Sequence, residues 1–178
     1  ARFARVGVSA AAPTPVYGLA EAALAVTFSE LDRPPVAARF DRAELSRGLA
    51  RESAEGREIA AVGTPVPGFE IALLPPDRRP GNPALGDRLP AGRVGRVWVR
   101  GPSLMSGYLG QPEATARALV HGWLDTGDLG FLHQGRLFLA GRAKDVLIVH
   151  GRNHAPDELE EAAAGVDGTQ GAVAATVL

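Results

Sequence analysis

The sequence predicts a mixed α/β and β fold, in which a β-rich unit is followed by the opening of a smaller α+β unit. Three observations carry this. Residues 93–100 alternate polar and apolar side chains, with Val94, Val97 and Val99 on the apolar positions, the period of a strand. Two short apolar runs, 131–132 and 136–139, flank His133-Gln134-Gly135, which signals a hairpin. Toward the C-terminus the texture changes to strand (146–149), helix (156–164) and strand again (171–178).

Taken in order, residues 6–8 are expected to form a short strand, and Pro13 and Pro15 bracket a turn before Val16-Tyr17-Gly18. Residues 21–27 (EAALAVT) fit either the start of a helix or continued extended chain, because the tail is β-branched. Residues 31–61 are rich in Arg, Glu, Ala and Gly and read as a polar surface insertion, with a short helix over 41–50. Residues 69–74 form a strand that stops at Pro75-Pro76, since proline cannot continue a central strand. A Pro/Gly/Arg loop over 77–90 connects it to the strand at 93–100. Pro112 opens a helix to Val120. The helix over 156–164 has Pro156 and the acids Asp157 and Glu158 at its start and Gly165 at its end. The chain has no initiator Met and ends on apolar residues, which reads as an excerpt of a longer chain.

Composition narrows the function. Hydrophobic residues are 46% of the 178, enough for a core, and charged residues are 22% with a net charge of −1. Nucleic-acid partners call for a basic face, and this balance argues against them. No apolar run reaches the length of a membrane span. With no cysteine, disulfides and thiolate metal sites are excluded, and the cytoplasm is the expected location. Lys144 is the only lysine among 19 basic residues, so no second amine is available for chemistry.

Three clusters can carry chemistry. In Tyr17-Gly18-Leu19-Ala20-Glu21 an aromatic ring, a Gly and a carboxylate stand beside a strand end, where α/β sheets place ligands. The ring can lie on a base, the Gly admits close backbone approach, and the acid can hold Mg2+ through oxygen. The same five residues fit a packed Tyr and a surface Glu. In residues 122–130 (GWLDTGDLG) two glycines flank Asp128 in a turn that can present a carboxylate to ribose hydroxyls, or merely bond its own backbone. In Gly141-Arg142-Ala143-Lys144-Asp145 an Arg at a strand–turn junction can fork onto sugar or phosphate oxygens, and Lys144 lies between two strands where a chain can pivot; a solvated charged turn is the alternative. His121, His133, His150 and His154 lack the spacing of a metal site. P-loop, dinucleotide and serine-hydrolase motifs are absent.

In order and spacing, these clusters resemble the adenylate-forming superfamily, which includes acyl-CoA synthetases, nonribosomal adenylation domains, luciferases and fatty-acyl-AMP ligases. The resemblance runs from about Val16 to Glu161. It is nearest to the fatty-acyl-AMP ligases in YGLAEAALAVT at 17–27, in the segment 147–156, and in the polar stretch near 36–60, where that subgroup carries an insertion.

The resemblance implies that residues 1–143 are the C-terminal part of the large adenylation domain, including its distorted β-barrel subdomain, and that 144–178 open the small α+β domain. It implies that Tyr17 stacks on adenine beside Gly18, that Glu21 helps hold Mg2+, that Asp128 binds ribose with support from Arg142, and that Lys144 is the hinge. ATP and Mg2+ are then the cofactors, and fatty acid and an acyl carrier protein or polyketide synthase the partners. The insertion would restrain the small domain and disfavour coenzyme A as acceptor. The family's phosphate loop and catalytic Lys are absent from these 178 residues, which are therefore not expected to catalyse adenylation alone. An acyl-CoA synthetase or amino-acid adenylation domain is the second reading, and a truncated non-catalytic binding module the third.

Overall fold

The computed structural model describes residues 3–76, 88–143, 147–149 and 152–154. Residues 77–87 of the loop expected over 77–90, Lys144, the helix expected over 156–164 and the strand over 171–178 lie outside these residues.

The first segment departs from expectation. Residues Phe3–Val6 form a 3-10 turn rather than leading into a strand, and Gly7, at φ +82°, takes a left-handed conformation that extended chain does not use. The first strand is β1 (Val16–Leu19). A 3-10 turn over Ala20–Ala22 follows, and then β2 (Leu24–Phe28), so residues 21–27 contain both a helical turn and a strand. β1 and β2 pair antiparallel, matching Tyr17 to Thr27, with a register shift between Tyr17 and Gly18. Gly18 is required there: a Cβ on it would lie 1.5 Å from the Leu24 carbonyl oxygen.

The polar stretch holds more structure than its composition announces. β3 (Ala37–Phe40) and β4 (Arg57–Ala60) form an antiparallel hairpin around α1 (Arg42–Ser46). α1 is shorter than the helix expected over 41–50 and is capped by Asp41, whose Oδ1 accepts from the Glu44 N–H at 2.9 Å. Phe40 is fully buried against Phe131 and Phe138, with ring centroids 4.8 and 5.4 Å away in edge-on geometry. One aromatic anchor thus ties the insertion to the main body, a contribution on the order of 2–3 kcal/mol from burial.

The main sheet contains β6 (Glu70–Leu74), β7 (Gly95–Arg100), β9 (Trp123–His133) and β10 (Arg136–Arg142), in the order β10-β9-β7-β6, with β8 (Leu119–Val120) pairing the start of β9. α2 (Pro112–Ala118) ends before Val120, because Leu119 and Val120 join the sheet. β7 is buried on both faces: Val97 and Val99 point into the principal core with Tyr17, Val26, Leu73, Leu124 and Leu137, while Trp98 packs with Leu74 and Trp123 behind it. The sheet curls at β10. Val62 N–H donates to the Leu137 carbonyl and Leu137 N–H to that of Gly63. The next residues form β5 (Thr64–Pro65), which pairs with β2. This corner carries β1 toward β9. β11 (Leu147–Val149) and β12 (Arg152–His154) form a further antiparallel hairpin, so the strand expected at 146–149 is present over its described residues.

Candidate functional site

Residues 122–130 are not the turn expected from their glycines; from Trp123 they run within β9, interrupted by a bulge. Trp98 pairs with Asp125 and Arg96 with Leu129, so Thr126, Gly127 and Asp128 together stand opposite the one residue Val97. Gly127, at φ +76°, makes the excursion feasible. The bulge is held on all sides. Thr126 Oγ1 donates to the Val97 carbonyl at 2.8 Å and accepts from Asp128 N–H at 3.1 Å. Asp125 Oδ1 accepts from Gly127 N–H at 3.1 Å and from Arg96 Nε at 2.6 Å. Ala143 N–H reaches the Gly127 carbonyl at 2.9 Å. Asp128 is thereby presented by a backbone that is hydrogen-bonded on both sides.

Three of the residues singled out from the sequence meet here. Tyr17 Oη donates to Asp128 Oδ2 at 2.6 Å across 111 residues of sequence. Arg142 Nε donates to Asp128 Oδ1 at 2.9 Å, the two residues being direct cross-strand partners. The acid side chain is 16% exposed and that of Arg142 is 66% exposed, so the acid is seated while the guanidinium reaches into solvent. Each carboxylate oxygen has two lone-pair sites, and one donor apiece at these distances among the described residues, Tyr17 and Arg142, leaves acceptor capacity on both. Burial first, and then the bond to Asp128, push the Tyr17 phenol far above its ordinary value, so it is a fixed donor at any working pH. The Tyr17 ring is only 6% exposed and packs in the main core, so its role toward Asp128 is hydrogen bonding, which the sequence did not reveal.

Glu21 stands apart from this triad, on the 3-10 turn between β1 and β2. Its Oε1 accepts from the phenol of Tyr108 at 2.9 Å. Tyr108 was not singled out from the sequence. The available signal was its scarcity: the chain has two tyrosines, and each donates to one of the two acids of interest. At Gly18 the close approach is made by the chain's own β2. Lys144 lies outside the described residues. Among the described residues no cluster of three His, Asp or Glu can hold a metal, and no helix is long and apolar enough to cross a membrane.

No protein-family model matches the chain. It is 37% identical over 171 residues to a long-chain-fatty-acid–AMP ligase, FadD23 of Mycobacterium tuberculosis, an overlap of 89% of this chain and 28% of that protein. It is 38% identical over 173 residues to a putative fatty-acid–CoA ligase, FadD25, of the same species, again 89% of this chain and 28% of that one. A solved structure from work on fatty acyl-adenylate ligases of E. coli and L. pneumophila superposes with a TM-score of 0.79 at 36% identity, covering 93% of this chain and 29% of that one. The chain belongs to the adenylate-forming superfamily. Within the superfamily it is most like the fatty-acyl-AMP ligases, and it spans less than a third of the length of these relatives. Its mostly-strand architecture, with a curled sheet and few helices, is that of part of an adenylation domain.

Proposed function

We propose that this chain is part of an ATP-dependent fatty-acyl-AMP ligase and forms the adenosine-side wall of its nucleotide site. The observation that carries the proposal is the convergence of Tyr17 and Arg142 on the Asp128 carboxylate. In the reaction, a fatty-acid carboxylate oxygen bonds to the α-phosphorus of ATP as pyrophosphate leaves. A carrier-protein thiol then takes the acyl group, and AMP leaves. Such chemistry relies on positioning and charge stabilisation more than on covalent help from the protein.

Asp128 accepts the ribose hydroxyls on its remaining lone pairs, held in rotation by Tyr17 and Arg142. Glu21 fits as a single-carboxylate ligand: Mg2+ is commonly bound by one or two carboxylates with waters and phosphates, and Glu21 Oε2 bonds to none of the described residues. When bound, Mg2+ offsets negative charge on the phosphates. Residues 1–143 are assigned to the large domain and 144–178 to the start of the small one, with Lys144 as the hinge between them. The cytoplasm is the proposed location. Supply of the phosphate loop and catalytic Lys by other parts of the protein fits the small share of the relatives that this chain spans.

The test is AMP titration by calorimetry on the full-length polypeptide that carries this sequence. Asp128→Ala should weaken AMP binding about tenfold or more, the effect of leaving a hydroxyl pair without its acceptor. Unchanged affinity overturns the assignment. The likeness to FadD25 supports a second reading, with coenzyme A as the acceptor. The anchored insertion at 36–60 favours the carrier protein. Comparable yields of acyl-CoA and acyl-carrier product from the full-length protein would decide for the second reading.

A further inference from the structure

The carboxylate of Glu21 has a fixed neighbour. The phenol of Tyr108 donates to Oε1 at 2.9 Å, and the other oxygen bonds to none of the described residues. The loop bearing Tyr108 is tied to the Glu21 turn twice more: Met105 N–H donates to the Glu21 carbonyl at 2.7 Å, and Ser103 Oγ to the Ala22 carbonyl at 2.9 Å. It is locked from its other side by α2. Tyr108 N–H donates to Thr115 Oγ1 at 2.9 Å, and that hydroxyl donates to the Gln111 carbonyl at 2.9 Å. Gly107, at φ +155°, presses on Thr115, where a Cβ would meet Cγ2 at 2.7 Å. The phenol therefore sits on a strap that has little freedom to move away from the acid.

We propose that Tyr108 is a positioning residue for the divalent cation: by occupying one oxygen of Glu21 it fixes the rotation of the carboxylate and presents the other oxygen to the Mg2+ that accompanies the nucleotide. This rests on the reading of Glu21 as a cation ligand. Ligating carboxylates are held by hydrogen bonds of this kind, and losing such a partner weakens metal binding by about tenfold or more.

The test uses the full-length polypeptide with a non-hydrolysable ATP analogue and Mn2+ as a paramagnetic substitute for Mg2+, read by electron paramagnetic resonance. Tyr108→Phe should weaken Mn2+ binding about tenfold while leaving metal-free AMP affinity unchanged. Glu21→Gln tests the underlying reading separately. If Glu21→Gln leaves Mn2+ affinity intact, Glu21 is not a ligand and that reading falls. If Glu21→Gln weakens it but Tyr108→Phe shifts it less than about twofold, within the reach of ordinary context effects, only the positioning role falls. Added to Glu21→Gln, Tyr108→Phe should have no further effect; an undiminished effect there marks a structural role and overturns the proposal. Thr115→Val loosens the strap without touching phenol or carboxylate and should weaken Mn2+ in the same direction. It serves if Tyr108→Phe melts early, and no change in it counts against the proposal.

Discussion

Removing the Tyr17 hydroxyl separates the two jobs that one aromatic residue can do at a nucleotide site. Tyr17→Phe keeps the ring in the core, where it is 6% exposed, and deletes only the donor to Asp128 Oδ2 at 2.6 Å. A hydrogen bond to a charged acceptor is worth about 1.5–3 kcal/mol. The low end applies, because the Asp128 side chain is 16% exposed and water can replace part of the bond, while Arg142 still holds the other oxygen. Loss of about 1.4 kcal/mol of orientation is a tenfold fall in affinity, an upper bound for AMP. In an Asp128→Ala background there is no carboxylate left to orient, so Tyr17→Phe should then change AMP affinity less than about twofold. Four calorimetric titrations of the full-length protein complete the cycle. Equal effects in the two backgrounds would mean that the hydroxyl acts on the ligand or on folding by another route, and would refute the orientation argument.

Two further substitutions test the scaffold. Gly18→Ala places a Cβ 1.5 Å from the Leu24 carbonyl oxygen and so must break the register of β1 with β2; a stability loss above about 3 kcal/mol, or failure to accumulate folded protein, is expected in thermal melts. Phe40→Ala empties a fully buried site between Phe131 and Phe138, costing about 3–5 kcal/mol locally. Hydrogen exchange of the full-length protein should quicken over 37–60 and stay unchanged in β6 and β7 if the insertion opens as a unit.

Local patterns were legible in the sequence wherever one period dominated. β6 ends at Pro75, and the β9–β10 hairpin turns at Gln134-Gly135, as alternation and turn residues indicated. Features set by distant partners were not. The polar composition at 31–61 hid β3 and β4 because that hairpin needs little apolar surface of its own: Phe40 and Ile59 supply its buried contact, and Phe131 and Phe138 receive it. The glycines around Asp128 suggested a turn, since Gly127 does break the ladder; only the pairing of β7 on one side and β10 on the other shows that the break is a bulge within a continuing strand. The pairing of Arg142 with Asp128 follows from the hairpin register and was in principle countable. That of Tyr17 with Asp128 depends on the corner at 61–65, which no local pattern encodes.

Each of the two acids of interest accepts from a tyrosine. A carboxylate kept partly out of water and aimed at a ligand needs a donor that neutralises neither its charge nor its acceptor capacity, and a neutral phenol satisfies both conditions. A lysine or arginine in the same place forms an ion pair that a nucleotide's sugar or its cation must compete with. Arg142 donates to Asp128 from a side chain that is 66% exposed, so solvent screens part of its charge. The donors come from segments 111 and 87 residues away from their acids, so neither contact forms until distant parts of the chain have come together. On the proposed role of Asp128, Thr27→Val, which removes the hydroxyl that donates to the Val62 carbonyl, should lower AMP affinity in the same calorimetric titration without touching Asp128.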